Sequence, residues 1–369
     1  MSKIKFNPHI EAQTSFGRFG RSKEEIQETY GVKTVYRMSF NESPLGASPK
    51  VVRAIQEAAP TLGDYPPSTD DDLRETIAAM LGQGATAVNL FTGNSGYEAL
   101  EMAMRAFLQP EDECIVCPPM FGVYNRLIGL QGAVPVAVPL DAHDFSLDVE
   151  GVLTAVTDKT KILLLCNPNN PTGTMITAVE MERLMSELPD HVLVIADEVY
   201  HHFVTSPNYP DTLNYVLADK PVIIIHTFSK GYGLAGLRLG YGISTPKIAD
   251  HIRKLYRGFH LNQLALVGGM AALKDTAHLQ KNIDTVLQGR QYLYDQFDQL
   301  DLRYWPSQTN FIVAETPLLA DDLAEAMLHY GIIISSLTRN DLPRAIRVSI
   351  GLPIANELFA TSLKEILSR

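Results

Sequence analysis

Lys230 ends the string Thr227, Phe228, Ser229, Lys230, just past the apolar run Val222–Thr227, and the glycine-rich stretch GYGLAGLRLG follows it. A lysine so placed suits a covalently held carbonyl compound. Its ammonium must lose a proton before it attacks an aldehyde, and a partly desolvated site lowers the pKa that stands in the way. The hydroxyls of Thr227 and Ser229 and the guanidinium of Arg238 can converge on a phosphate, for which arginine offers fixed donors. Taken alone, a lysine that merely caps a strand would read the same. A dinucleotide turn is also suggested, because Gly231, Gly233 and Gly236 have the GxGxxG spacing. That fingerprint normally opens a βαβ unit and precedes, by about 20 residues, an acidic residue at a strand end. Here another strand pattern begins at once and the region near Tyr256 is basic, which argues against a dinucleotide.

Three further segments have matching chemistry. Asp197 ends the run VLVIAD, at the carboxyl end of a buried strand, where α/β sheets bind ligands. An ionised carboxylate there keeps a pyridine nitrogen protonated, which pyridoxal-5′-phosphate (PLP) needs if its ring is to draw in electrons. Tyr200, three residues on, can hydrogen-bond the ring hydroxyl. The string CNPNNPTG at 166–173 places two Asn-Pro steps after the strand KILLLC. These force an extended turn and aim the Asn170 amide into the same crevice. Finally, Thr92-Gly-Asn-Ser95-Gly96-Tyr97 precedes an apolar-periodic helix. Small residues at a helix N-terminus expose N–H groups and the positive end of the dipole, which favours an anion. The same string serves equally as an ordinary helix cap.

The elements that must position these residues alternate. Strand patterns at Cys114–Cys117, Val134–Val138, Lys161–Cys166, Val192–Ala196, Val222–Thr227 and Leu239–Ile243 are short, β-branched and apolar on both faces. Helical patterns such as Ser95–Leu108 and Ala178–Leu188 lie between them. This predicts an α/β fold with a mostly parallel sheet covered by helices on both sides. From about Thr276 the pattern changes to a long helix near Ala277–Leu300, a strand at Asn310–Glu315, a helix at Ala320–Tyr330, a strand at Ile346–Ile350 and a last helix at Ala355–Ser368. We expect residues 46–275 to form a large α/β domain. Residues 1–45 and 276–369 would form an N-terminal arm and a small α+β domain.

Bulk properties narrow the partners. The chain has 369 residues, 46% of them hydrophobic, enough for two cores. Its net charge of −11, with no basic run, makes nucleic acid or an anionic membrane unexpected. No stretch approaches the roughly 20 apolar residues of a spanning helix, and a cytoplasmic location is expected. Cys114 and Cys117 lie three apart on a strand pattern, which points them to opposite faces. With no second pair to complete a zinc site, we expect buried thiols and no metal.

In order along nearly the whole chain, from FNESPLGASPK at 40–50 to IRVSIG at 346–351, these motifs resemble the fold-type I PLP aminotransferases, specifically the histidinol-phosphate aminotransferase group. The resemblance implies the PLP-transferase architecture, with a seven-stranded-type sheet in the large domain. It implies that Lys230 holds PLP as a Schiff base and shuttles the substrate proton. It makes Asp197 the partner of the ring nitrogen, Asn170 and Tyr200 the ligands of the ring oxygen, and Ser95, Gly96, Thr227, Ser229 and Arg238 the phosphate cup. Tyr65 resembles the tyrosine lent to a neighbouring subunit's phosphate, implying a homodimer. Arg347 resembles the arginine that clamps a substrate carboxylate; the sequence leaves open whether Phe16 or Phe19, in the arm SFGRFGR, closes over the substrate, with Phe16 the candidate contact.

Two positions depart from that pattern. Phe121 stands where the family has a tyrosine stacked on the ring, so it can stack but cannot donate a hydrogen bond. Ser335 stands where histidinol-phosphate enzymes have the arginine that grips the substrate phosphate. One neutral hydrogen bond there forgoes more than about 1 kcal/mol relative to a charged bidentate contact, so an amino acid without a phosphate is the expected donor, with a histidinol-phosphate-like amine as the alternative. The favoured reaction is transamination between such a donor and a 2-oxo acid. Decarboxylation, oxidation or elimination would use the same cofactor motifs. A sensor domain of a transcription regulator would need a basic DNA-binding domain ahead of Phe40, for which the sequence leaves little room.

Overall fold

The computed structural model describes residues 4–15, 17 and 20–368. In chain order its strands are β1 (Tyr36–Arg37), β2 (Leu90–Gly93), β3 (Glu113–Val116), β4 (Val134–Ala137), β5 (Thr160–Cys166), β6 (Leu193–Asp197) and β7 (Val222–Thr227). Then come β8 (Gly240–Ser244), β9 (Tyr304–Trp305), β10 (Phe311–Glu315), β11 (Ile332–Ile333), β12 (Ser335–Ser336) and β13 (Ala345–Ser349). The central sheet has seven strands in the order β2-β8-β7-β6-β5-β3-β4. It is parallel except at β8, which runs antiparallel to both β2 and β7.

Alternation along the strands fills both faces. Ile162 and Leu164 of β5 enter one apolar core, while Leu163 and Leu165 enter the other. Each such side chain contributes roughly 1.5–3 kcal/mol by leaving water. Cys114 and Cys117 separate in the same way, into opposite cores. Burial pushes both thiols up, Cys117 to about 12, so both stay protonated.

One strand departs from expectation. β4 is not buried on both faces: it is the sheet edge, paired only with β3, and Val134 is 49% exposed. Its apolar sequence gave no sign of this, because edge position is a property of strand order. β2 went unseen for the opposite reason. Its four residues merge into the helix start that follows, and periodicity cannot separate a strand from a capping turn over so short a run.

A four-stranded antiparallel sheet, β12-β13-β10-β9, packs under the helices Thr276–Gln299 and Pro353–Leu367 in a third core that includes Phe297, Phe311, Ile346 and Phe359. β1 pairs in parallel with β11, tying the N-terminal segment to this unit. Among the described residues no helix is long and apolar enough to cross a membrane.

Candidate active site

Three neighbouring strands end together. Asp197 closes β6, Thr227 closes β7, and Cys166 closes β5 opposite Asp197. Most of the residues singled out in the sequence gather at these carboxyl ends.

Lys230 follows β7 by three residues and turns inward. Its Nζ donates to the carbonyl oxygens of Phe40, at 3.0 Å, and Asn41, at 2.9 Å. Burial, reinforced by the charge of Arg347, brings the ammonium down to about 8. The carbonyls orient the amine without supplying a countercharge, so it gives up its proton readily. Burial pushes the Asp197 carboxyl up to about 6, against a hydrogen bond from the Tyr124 hydroxyl at 2.8 Å that lowers it. The N–H of Val199 meets the other carboxyl oxygen at 3.3 Å. Tyr124 was not anticipated: it lies three residues past Phe121, on an apolar helix face, and its sequence setting reads as core. Phe121, 39% exposed, sits edge-on to it with ring centres 5.7 Å apart.

The Tyr200 hydroxyl accepts from two amides, Asn41 Nδ2 at 3.1 Å and Asn170 Nδ2 at 3.3 Å. Asn170 follows the turn whose Asn167–Pro168 and Asn170–Pro171 bonds are both cis. Asn41 also went unassigned in the sequence, although it lies within the FNESPLGASPK motif. It holds the site together: its carbonyl accepts from Lys230 and Asn310, and its own N–H donates to Ser349 Oγ. Arg347 reaches across from β13. It donates to Asn170 Oδ1 at 2.5 Å, the Ser39 carbonyl at 2.8 Å and Ser335 Oγ at 3.3 Å, while its Nε is buried without a partner. This is no surface ion pair.

A cradle forms beside these groups. Ser95 takes φ 105°, a strained conformation for a residue with a side chain, costing roughly 1–3 kcal/mol. It caps the helix Gly96–Phe107 through a 3.4 Å bond from the Glu98 N–H. The start of β8 passes so close that a Cβ on Gly240 would lie 2.2 Å from the Gly96 nitrogen, so only glycine fits. Thr227 Oγ1 donates to Ser229 Oγ at 3.0 Å and accepts from the Ser229 N–H at 3.1 Å. Arg238, in the left-handed region, donates to the Ala235 carbonyl at 2.9 Å. The glycines after Lys230 lead into a 3-10 turn and antiparallel β8 rather than a helix, unlike a dinucleotide site. Gly233 has φ +70°, and a Cβ there would strike the Gly46 carbonyl oxygen.

Behind the site, Glu198 and His226 meet at 3.4 Å. Burial pushes Glu198 up to about 8 and His226 down to about 3. At neutral pH this is therefore a neutral hydrogen bond rather than an ion pair. His201 stacks on His226 with centres 3.7 Å apart, which two imidazolium rings would not tolerate.

Two assigned positions stand apart. Tyr65 is 81% exposed, stacked on Phe259 at 4.5 Å. Phe16 and Phe19 lie outside the described residues.

The sequence model of the family Aminotransferase class I and II matches residues 33–357. The chain belongs to this family. Histidinol-phosphate aminotransferase of Moorella thermoacetica is 38% identical over 350 residues, covering 95% of this chain and 90% of that protein. Histidinol-phosphate aminotransferase 1 of Nitrosococcus oceani is 37% identical, covering 94% of this chain and 93% of that one. The crystal structure of histidinol-phosphate aminotransferase from Sinorhizobium meliloti in complex with pyridoxal-5′-phosphate matches with a TM-score of 0.87 at 28% identity. It covers 100% of this chain and 98% of that one.

This aminotransferase is thus a PLP enzyme that moves an amino group between an amino donor and a 2-oxo acid. Its own residues fit that cofactor. The Lys230 amine gives up its proton at a moderate pH, burial raises the Asp197 carboxyl to about 6, where a cationic ring would favour its ionised form, and Gly240 keeps the helix N-terminus open for a phosphate.

Proposed function

We propose that Lys230 carries the cofactor and that the surrounding groups divide the work of transamination. PLP supplies an electron sink that lets a proton leave the substrate's α-carbon. Asp197, held in place by Tyr124 and Val199, would pair as a carboxylate with the ring nitrogen. Asn170 and Tyr200 would bind the ring oxygen, and Phe121 would lie against the ring. Ser95, Gly96, Thr227, Ser229 and Arg238 take the phosphate. The Lys230 amine would hold the α-proton between its removal and its return, which its lowered pKa suits. Arg347, with its Nε unpaired, receives the α-carboxylate of an amino or oxo acid.

Tyr65 completes the phosphate site of a second copy in a homodimer. Its ring, 81% exposed and stacked on the exposed ring of Phe259, supports this reading. Residues 46–275 act as the large domain, and 1–45 with 276–369 as the small one, which carries Arg347.

The observation that supports this most directly is the buried Lys230 amine. Its Nζ donates to two main-chain carbonyls and it is brought down to about 8, with the Asp197 carboxyl near enough for the two charges to act on each other. The test is to add PLP, reduce with borohydride and map the modified peptide, then screen amino donors against 2-oxoglutarate. Label on Lys230 with amino product equal to donor consumed supports the reading. Label elsewhere, or carbon dioxide release without an amino product, overturns it.

A further inference from the structure

The helix Thr276–Gln299 sends one side chain back into the lysine loop. Asn282 is completely buried, and a carboxamide out of water needs partners at both ends. Its Nδ2 donates to the Gly231 carbonyl at 2.8 Å and, more weakly, to the Lys230 carbonyl at 3.5 Å. Its Oδ1 accepts from the Ser43 hydroxyl at 2.9 Å. Ser43 stands two residues after Asn41, whose carbonyl receives the Lys230 amine at 2.9 Å.

These contacts close a ring. It runs from Lys230 Nζ to the Asn41 carbonyl, along the chain to Ser43, across to the Asn282 amide, and back to the main chain at Gly231. Lys230 is therefore held at its tip and at its root, and one asparagine joins the two holds. A lysine side chain loses much rotamer freedom when ordered, and the ring imposes that order before any ligand arrives. The packing around it is tight. A Cβ on Gly233 would lie 2.3 Å from the Gly46 carbonyl oxygen and 3.1 Å from Ser43 Oγ. One helical turn before Asn282, His278 Nε2 lies 3.0 Å from the same Gly46 carbonyl, so a single helix face grips the strip 43–46 at two points. Asn282 reaches Lys230 and Gly231 only through their main-chain carbonyls. It can act on the chemistry only by placing the amine.

We propose that Asn282, with Ser43, is a positioning residue that fixes the root of Lys230 so that its amine is presented to an aldehyde in one geometry. This rests on the reading of Lys230 above and deepens it. Reacting groups displaced by about 1 Å lose on the order of 100-fold in rate. The ring includes none of the residues assigned to the phosphate, so bonding to the amine and binding of the phosphate should come apart when Asn282 is changed.

The test compares PLP with its 4′-deoxy analogue, which has a methyl in place of the aldehyde and cannot bond to a lysine. Stopped-flow absorbance on the full-length apoenzyme at pH 8 should show PLP capture slowed by about 10- to 100-fold in Asn282→Ala. The Kd of the analogue should stay at the wild-type value. Ser43→Ala should show the same pattern with capture slowed about 2- to 10-fold, the worth of one neutral hydrogen bond. Ser43 is half-buried, so its variant keeps the test open if Asn282→Ala fails to fold. Capture as fast as wild type in either variant that folds, or analogue affinity that falls in step with capture, overturns this inference and leaves the transaminase reading standing. Wild-type protein in which borohydride fixes no cofactor on Lys230 overturns both.

Discussion

Nη1 of Arg347 lies 2.5 Å from Oδ1 of Asn170, joining β13 of the small sheet to the loop that leaves β5. The contact fixes which way the amide faces. With Oδ1 committed to the guanidinium, Nδ2 must point at the Tyr200 hydroxyl, 3.3 Å away. Asn170→Asp keeps the acceptor and removes the donor, so the effect should fall on the ring-oxygen side. Kinetics should show kcat/KM lower by about 10- to 100-fold, the cost of a lost hydrogen bond to a charged group. The cofactor's absorption should shift as well. An unchanged spectrum would mean the amide does not donate there.

Cofactor capture by the apoenzyme should depend on pH in a defined direction. The Lys230 ammonium loses its proton near 8 rather than in the usual lysine range, so the attacking amine accumulates as pH rises through 8. On the acid side, Asp197 is protonated below about 6 and can no longer pair with a cationic ring. The capture rate, followed by absorbance, should therefore rise from pH 6 and level off above 8. A bound cation stabilises the carboxylate, so the loaded enzyme should hold its cofactor at a lower pH than the apoenzyme captures it.

Subunit mixing can test Tyr65. Lys230→Ala and Tyr65→Ala proteins should each be impaired alone. A dimer of one of each contains one site with both residues. Random pairing should restore about a quarter of the native sites. Activity no greater than that of the two variants measured separately would place Tyr65 outside the site.

Gly240→Ala should be more damaging than its single methyl suggests. The added Cβ would lie 2.2 Å from the Gly96 nitrogen and 2.4 Å from the Ser95 carbonyl carbon, both backbone atoms that cannot swing away. We expect PLP affinity to fall at least about tenfold and thermal stability to drop by roughly 1–3 kcal/mol, the usual cost of overpacking. Gly236, with open space around it, should accept alanine with little change in either measurement.

Much of this protein could be read from its sequence because the residues proposed for its chemistry sit where local patterns end. Lys230 and Asn170 follow an apolar strand and Asp197 ends one, and a carboxyl strand end is marked by the run that precedes it. The same logic located five of the seven central strands closely and β8 to within a residue. What a sequence cannot carry is adjacency between distant segments. Asn41 and Arg347 stand on either side of the large unit in the chain, yet Asn170 and Tyr200 need both. Tyr124 reads as core until β6 brings Asp197 against its hydroxyl. The edge position of β4 follows from strand order, and the ring of contacts around Lys230 closes only when the helix Thr276–Gln299 brings Asn282 against Ser43 and Gly231. Side-chain type and spacing along one segment set the kind of chemistry. Which charges face one another, and how far burial shifts them, is decided by packing between segments hundreds of residues apart.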